Sequence, residues 1–192
     1  MIIHPGATVP TSRRGFLRRL SLGAALFAEK FRREIRIVRA PEPDQQSAQH
    51  LTASLEKAGE GVVKVDYNTA GALLSFDLLK ALRAGEIVSI QGDRAEGEVG
   101  QVTARLFGHE VQLPNGPFVL ALVAQVPIYP LFIARFGCRR YAIVVHEPIR
   151  LENTGDRERD IANGVGQWCA ILEETVAARW DQWFAFTPIF AR

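Results

Sequence analysis

GEIVSIQGDR at residues 85–94 and LFGHEVQLPNGPFVLALVAQVPIYPLFIA at residues 106–134 decide the fold. The first is a short apolar strand, Glu86–Gln91, that runs into a Gly92-Asp93-Arg94 turn. The second carries a loop, Leu113-Pro114-Asn115-Gly116-Pro117, and then no charged residue from Pro117 to Ala134. This layout sets polar side chains and unpaired backbone N–H groups at one edge of a buried sheet, where α/β proteins build ligand sites.

Outward from that stretch, strand and helix signals alternate. Ile35-Arg36-Ile37-Val38 reads as a strand and is stopped by Ala40-Pro41-Glu42-Pro43. Asp44 can cap a helix running through Gln49 to Lys57, closed by Gly59-Glu60-Gly61. Val62–Asp66 is the next strand. A helix capped by Asn68 or Thr69 follows over Leu73–Arg83, with Gly85 beyond its end and Arg83 where the helix dipole favours a cation. After the polar loop Gly92–Gly100, Val102–Phe107 and Glu110–Leu113 form a ribbon turning at Gly108-His109. A helix over Pro117–Gln125 and strands over Ile128–Ala134 and Tyr141–His146 come next. A long helix closes the pattern from about Asp156 to Trp180, with Ile161, Val165, Trp168, Leu172 and Val176 at helical spacing. The alternation predicts an α/β domain over residues 35–192 with a mostly parallel central sheet covered by helices.

Length and composition agree: 192 residues, 47% hydrophobic, suffice for one domain with a core. A net charge of +2 hides an uneven distribution. Residues 1–40 hold nine Arg or Lys against two Glu, and the remainder is acidic. A basic end on an acidic body points to an anionic partner, a membrane surface or a nucleic acid. The basic end carries no recognisable nucleic-acid-binding motif, so the membrane surface is preferred and no nucleic acid is expected.

Residues 1–34 read as a separate basic amphipathic segment. Ser12-Arg13-Arg14-Gly15-Phe16-Leu17 looks like a twin-arginine export signal, followed by the apolar run Leu20–Ala28. Glu29-Lys30-Phe31-Arg32-Arg33 comes at once, however, with no A-x-A cleavage site. Phe16, Leu20, Ala24, Phe27 and Phe31 recur every three or four residues, so an amphipathic helix is the preferred reading and export the alternative. Pro117–Ala134, uncharged for 18 residues, is broken by Pro127 and Pro130 and holds Gln125, which argues against a membrane span.

Several chemistries are excluded by spacing. The chain has no G-x-S-x-G elbow and no G-x-x-x-x-G-K-[ST] phosphate loop. His109-Glu110 and His146-Glu147 begin like H-E-x-x-H, but Leu113 and Arg150 occupy the last position. Four scattered histidines make no metal cluster, and Cys138 and Cys169 form no C-x-x-C pair. Neither a metal nor a cofactor is expected.

The order of the remaining motifs resembles the lysophospholipid and lipid A acyltransferase superfamily, most closely bacterial members with a G-D-R turn. The resemblance covers about residues 35–190. Gln91-Gly92-Asp93-Arg94 stands where that superfamily has a short acidic motif. Phe107-Gly108 with Leu113-Pro114-Asn115-Gly116-Pro117 is similar to its substrate loop with a P-x-G core. Val126-Pro127-Ile128-Tyr129-Pro130-Leu131-Phe132 matches its V-P-x-x-P-x-F strand, and Gln182-Trp183-Phe184 its closing segment. The resemblance implies transfer of a fatty acyl group from acyl-carrier protein or acyl-CoA to a hydroxyl of a lipid acceptor. It places the chain at the cytoplasmic face of the inner membrane, with Arg13, Arg14, Arg18, Arg19, Arg32 and Arg33 on anionic headgroups. Asp93 and Arg94 would orient the acceptor or stabilise charge on the thioester carbonyl. Pro114, Asn115, Gly116, Pro117 and Phe118 would meet substrate, with Val119 and Leu122 extending an acyl groove.

One departure concerns the catalytic base. The superfamily uses H-x-x-x-x-D/E, in which the histidine deprotonates the acceptor hydroxyl and the acid orients the imidazole. Thr11–Arg19, at the expected place, has no histidine. His4 in Ile2-Ile3-His4-Pro5-Gly6 is the candidate, but its fifth following residue is Val9. Three readings stay open: a truncated reading frame, a divergent enzyme using His4, and a non-catalytic relative that keeps a lipid-binding cleft.

Overall fold

A computed structural model describes residues 1–3, 34–39, 63–68, 72–95, 99–138, 140–183 and 189–190. His4, the six arginines from Arg13 to Arg33 and the expected helices before Ile35 and over 49–57 lie outside the described residues.

The central sheet is built from β1 (Ile2–Ile3), β2 (Ile35–Arg39), β3 (Val63–Tyr67), β4 (Ile87–Ile90) and β7 (Ile128–Tyr129), in the order β3-β2-β4-β1-β7. β2 pairs in parallel with β3 and β4. β1 runs antiparallel to both β4 and β7, so β7 points the same way as the other three. The sheet is therefore mostly parallel, as the alternation of strand and helix signals requires. β1 is the one reversed strand; two residues are too few to show a period of their own.

Both faces of the sheet are covered, as parallel strands demand. Along β2, Ile35 and Ile37 point into one apolar cluster and Val38 into the other, the two-residue alternation of a strand. On the larger side, Val38 and Val88 meet α1 (Ala72–Arg83), α2 (Gly116–Ala124) and α3 (Arg157–Ala178). The ribbon of β5 (Gln101–Leu106) and β6 (His109–Pro114) completes that core through Leu106, Val111 and Leu113. On the smaller side, Ile35, Ile37, Val63 and Ile87 pack under a hairpin of β8 (Leu131–Gly137) and β9 (Arg140–Val145). Among the described residues, then, one face is covered by helices and the other by a hairpin.

Local chemistry explains the boundaries. α1 buries Leu78 and Leu82, one turn apart, carries Lys80 and Arg83 in its last turn, and is followed by Gly85 at φ +84°. The expected single strand over 128–134 is divided at Pro130, which has no N–H for a ladder. Ile128–Tyr129 stays in the main sheet, and Leu131 onward turns into the hairpin. The β5–β6 turn falls at Phe107-Gly108, both at positive φ, one residue earlier than the sequence suggests. α3 begins at Asp156, whose carboxylate accepts the Arg159 N–H at 3.1 Å. All five of its periodic apolar residues are buried, together with Asp160. Asp160 is 1% exposed and accepts the Thr154 N–H and hydroxyl at 3.0 and 2.8 Å, which meets the requirement of a buried carboxylate for partners. No helix among the described residues is long and apolar enough to cross a membrane.

Candidate active site

β4 delivers Gly92-Asp93-Arg94 to the edge of the larger core, where two indoles hold it. Trp168 on α3 donates its Nε1–H to the Gly92 carbonyl at 3.0 Å from a fully buried position. Trp183, just past the 3₁₀ turn Trp180–Gln182, donates to Asp93 Oδ2 at 3.1 Å. Gln91 Nε2 donates to Asp93 Oδ1 at 3.1 Å. Arg94 adds its Nε–H at 3.1 Å and an Nη2 hydrogen bond to the same carboxylate. Both charged side chains are largely enclosed, at 16% exposure for Arg94 and 18% for Asp93. Burial pushes the Asp93 carboxyl upward, but the bond and charge of Arg94, with the Trp183 and Gln91 donors, outweigh it and hold the group below the ordinary carboxylate range. Asp93 is thus a fixed anion at neutral pH.

Gly92 packs closely against the flexible end of the Met1 side chain. A β-carbon there would stand 2.0 Å from Met1 Cε. Met1 also exchanges backbone hydrogen bonds with Ile90, at 2.8 and 3.0 Å.

The second loop is finished differently. The Asn115 N–H is anchored on the Gly100 carbonyl at 2.9 Å, and the Asn115 side chain lies over Gly100, where a β-carbon would meet its Oδ1 at 2.6 Å. Asn115 is the N-cap of α2, yet its side chain makes no capping hydrogen bond. The next residues, Gly116 and Pro117, begin the helix. Pro117 lacks an N–H, and the Gly116 N–H takes no partner among the described residues; the Phe118 and Val119 N–H groups both turn back to the Asn115 carbonyl. A β-carbon on Gly116 would meet nothing within 4 Å. The start of α2 therefore offers a backbone donor with no partner among the described residues, at a glycine whose β-carbon position is open among them, an arrangement suited to a phosphate or an oxyanion.

α3 ties the two loops together. Gly164 accommodates Phe118, whose Cδ1 lies 3.3 Å from the β-carbon position, and Trp168, one turn later on the same face, grips Gly92. Phe118 is fully buried and Leu122 nearly so, both within the core. Pro114 and Pro117 are buried as well, whereas Asn115 and Gly116 are partly open. The role of Trp168 and Trp183 as donors escapes sequence reading, although a buried indole must find an acceptor and so signals one. A cavity of about 310 Å³ between residues 150–152 and the start of α3, lined by Arg150, Glu152, Asp160, Asn163 and Gln167 with Leu151 and Gly164, includes no residue of either loop. Among the described residues no group of His, Cys, Asp and Glu is placed to hold a metal ion.

The closing segment is fixed from both sides. The Gln182 side chain accepts the Arg135 N–H at 2.7 Å and donates to the Arg135 carbonyl at 3.1 Å, while Trp183 reaches Asp93. Two motifs far apart in sequence, the G-D-R turn and the Gln-Trp closing segment, thus form one unit. Residues 70–192 match the family described as bacterial lipid A biosynthesis acyltransferase. The chain belongs to that family. The matched part is about two thirds of the sequence and includes the G-D-R turn, the Asn115-Gly116-Pro117 loop, α3 and the closing segment. Acyl transfer to a lipid is the coarse activity this lipid A acyltransferase membership supports. No curated protein matches the chain.

Proposed function

We propose that the chain transfers a fatty acyl group from acyl-carrier protein or acyl-CoA to a hydroxyl of a lysophospholipid or lipid A-type acceptor. It acts as a peripheral protein on the cytoplasmic face of the inner membrane, with Arg13, Arg14, Arg18, Arg19, Arg32 and Arg33 toward anionic headgroups. The observation that carries the reading is the open Gly116 N–H at the start of α2, inside the part of the chain that matches the lipid A acyltransferase family.

In this mechanism His4 removes the proton from the acceptor hydroxyl, and the oxygen attacks the thioester carbonyl. The carbonyl oxygen gains negative charge and is met by the Gly116 N–H, with the Arg94 guanidinium adding positive potential. The C–S bond then breaks, and the leaving thiolate takes the proton from His4. Asp93 keeps Arg94 in place and is a positioning residue. Asn115 orients the loop, while Pro114, Pro117 and Phe118 fix the helix start behind it. The measurement is transfer of a labelled acyl group from acyl-CoA or acyl-carrier protein to mixed lysophospholipids and lipid A precursors. Turnover by the parent chain should fall by about a hundredfold or more in His4→Ala; turnover unchanged in that variant would remove His4 from the mechanism.

A second reading is a non-catalytic lipid-binding relative. It is favoured by one observation: none of the four histidines has Asp or Glu at the fifth following position, where Val9, Leu55, Pro114 and Leu151 stand. Absence of turnover from every donor, with acceptor lipid still bound, would establish this reading over the first.

A further inference from the structure

The tip of the β8–β9 hairpin and the end of α3 come together in a patch that no part of the proposed reaction uses. Phe136 sits at a bulge in β8: Arg135 pairs with Tyr141 and Gly137 with Arg140, so Phe136 has no cross-strand partner. A bulge re-aims the side chain it carries, and Phe136 is 55% exposed. The Arg179 guanidinium lies 4.7 Å from the centre of its ring, a cation–π contact that joins the hairpin to the end of α3. The next residue, Trp180, is 76% exposed. Arg135 and Arg140, both exposed, complete the patch. In the segments 135–138, 140–145 and 179–183, three arginines face a single carboxylate, Asp181.

From this we infer that Phe136 and Trp180, flanked by Arg135, Arg140 and Arg179, form a docking face for an anionic lipid bilayer. The chemistry favours a bilayer over an acidic protein. Two large aromatic side chains stand out from a hairpin tip and a helix end without a protein pocket around them, and such rings settle at the level of lipid headgroups. Arginine heads beside them meet lipid phosphates while their stems lie along apolar surface. The Gln182 side chain, bonded to both the N–H and the carbonyl of Arg135, and the Arg179 contact with Phe136 tie the two parts of the patch together. The face consists of other residues than the basic segment 1–34 and requires no turnover, so its failure and that of the acyl-transfer reading are told apart by separate assays.

The experiment uses the full chain with phosphatidylcholine vesicles, with and without phosphatidylglycerol, and with lipids brominated near the headgroup. The parent should bind the phosphatidylglycerol vesicles more tightly, and the bromines should quench part of its tryptophan fluorescence. Phe136→Ser with Trp180→Ser should weaken binding by tenfold or more, since each ring carries apolar area on the order of a large buried side chain. Arg140→Gln with Arg179→Gln should lower the preference for phosphatidylglycerol measurably, with the basic segment of residues 1–34 carrying the remainder. Trp180→Phe, a change at an exposed site, should abolish the quenching while leaving Trp168 and Trp183 emission intact. Quenching that persists in Trp180→Phe, vesicle binding equal to the parent in the double serine variant, or loss in that variant of binding to acyl-carrier protein alone would each overturn the proposal.

Discussion

The G-D-R turn and the Asn115-Gly116-Pro117 loop rest against the same helix, yet one is closed and the other open. Around Asp93, N–H groups from Gln91, Arg94 and Trp183 converge on one carboxylate, and Trp168 takes the neighbouring Gly92 carbonyl. At Gly116 the described residues leave both the backbone donor and the β-carbon position free. A group with that many internal partners is held rather than poised, and one with none is available to a ligand. In the proposed mechanism the two loops therefore do different work: the turn holds Arg94 in place, and the start of α2 meets the substrate.

The largest test of that division removes the centre of the closed loop. Asp93→Ala would take away the acceptor that Gln91, Arg94 and Trp183 share and should destabilise the fold by about 2 kcal/mol, read from urea unfolding. A loss under about 0.5 kcal/mol would mean that Asp93 is not structural. The same carboxylate sets a pH dependence. Its folded pKa lies below the 3.8 of a free aspartate, so its contribution is complete above that value and lost as pH falls through the lower folded value. Asp93→Asn should lack that segment of the acid-unfolding curve.

Trp168→Phe is a smaller perturbation. The ring stack on Phe132, 5.6 Å between centroids, can persist, but the Gly92 carbonyl loses its donor. We expect a cost of about 1–2 kcal/mol, with acyl transfer reduced only in proportion to folded protein. Smallest in stability is Gly116→Ala. The added methyl meets nothing within 4 Å among the described residues, and thermal unfolding should shift by no more than about 0.5 kcal/mol in free-energy terms. Acyl transfer should nevertheless fall by about tenfold, because the methyl occupies the approach to the free N–H. Unchanged kcat/KM in Gly116→Ala would erase the distinction between the loops.

The long-range frame was legible because its signals are periodic. Ile161, Val165, Trp168, Leu172 and Val176 announce the buried face of α3, and the alternation in Ile35–Val38 announces β2. Boundaries depending on one residue were legible only in part. Pro130 argues from the sequence against a membrane span, but only the fold shows it as the point where one strand becomes two. Ile2–Ile3 carries no period, and its reversed place between β4 and β7 is decided by its neighbours. In the candidate site, the sequence presents Asp93, Arg94, Asn115 and Gly116 as loop residues with chemistry. It does not show that Trp183 reaches back 90 residues to Asp93, since donor and acceptor are joined only by the folded core. Phe118 illustrates the converse: an apolar residue beside a loop can line a groove or fill a core, and packing against Gly164 places it in the core.

Gln182 has a consequence beyond holding the closing segment. A primary carboxamide has the same donor and acceptor spacing as a peptide group, and this one occupies both the N–H and the carbonyl of Arg135 on the outward side of β8. Among the described residues that side is the border of a two-stranded sheet, where another chain's strand would otherwise begin to pair. With one side chain in the position of a peptide, the border is interrupted at Arg135, and a strand adding there would first have to displace the residue next to the tryptophan that reaches Asp93.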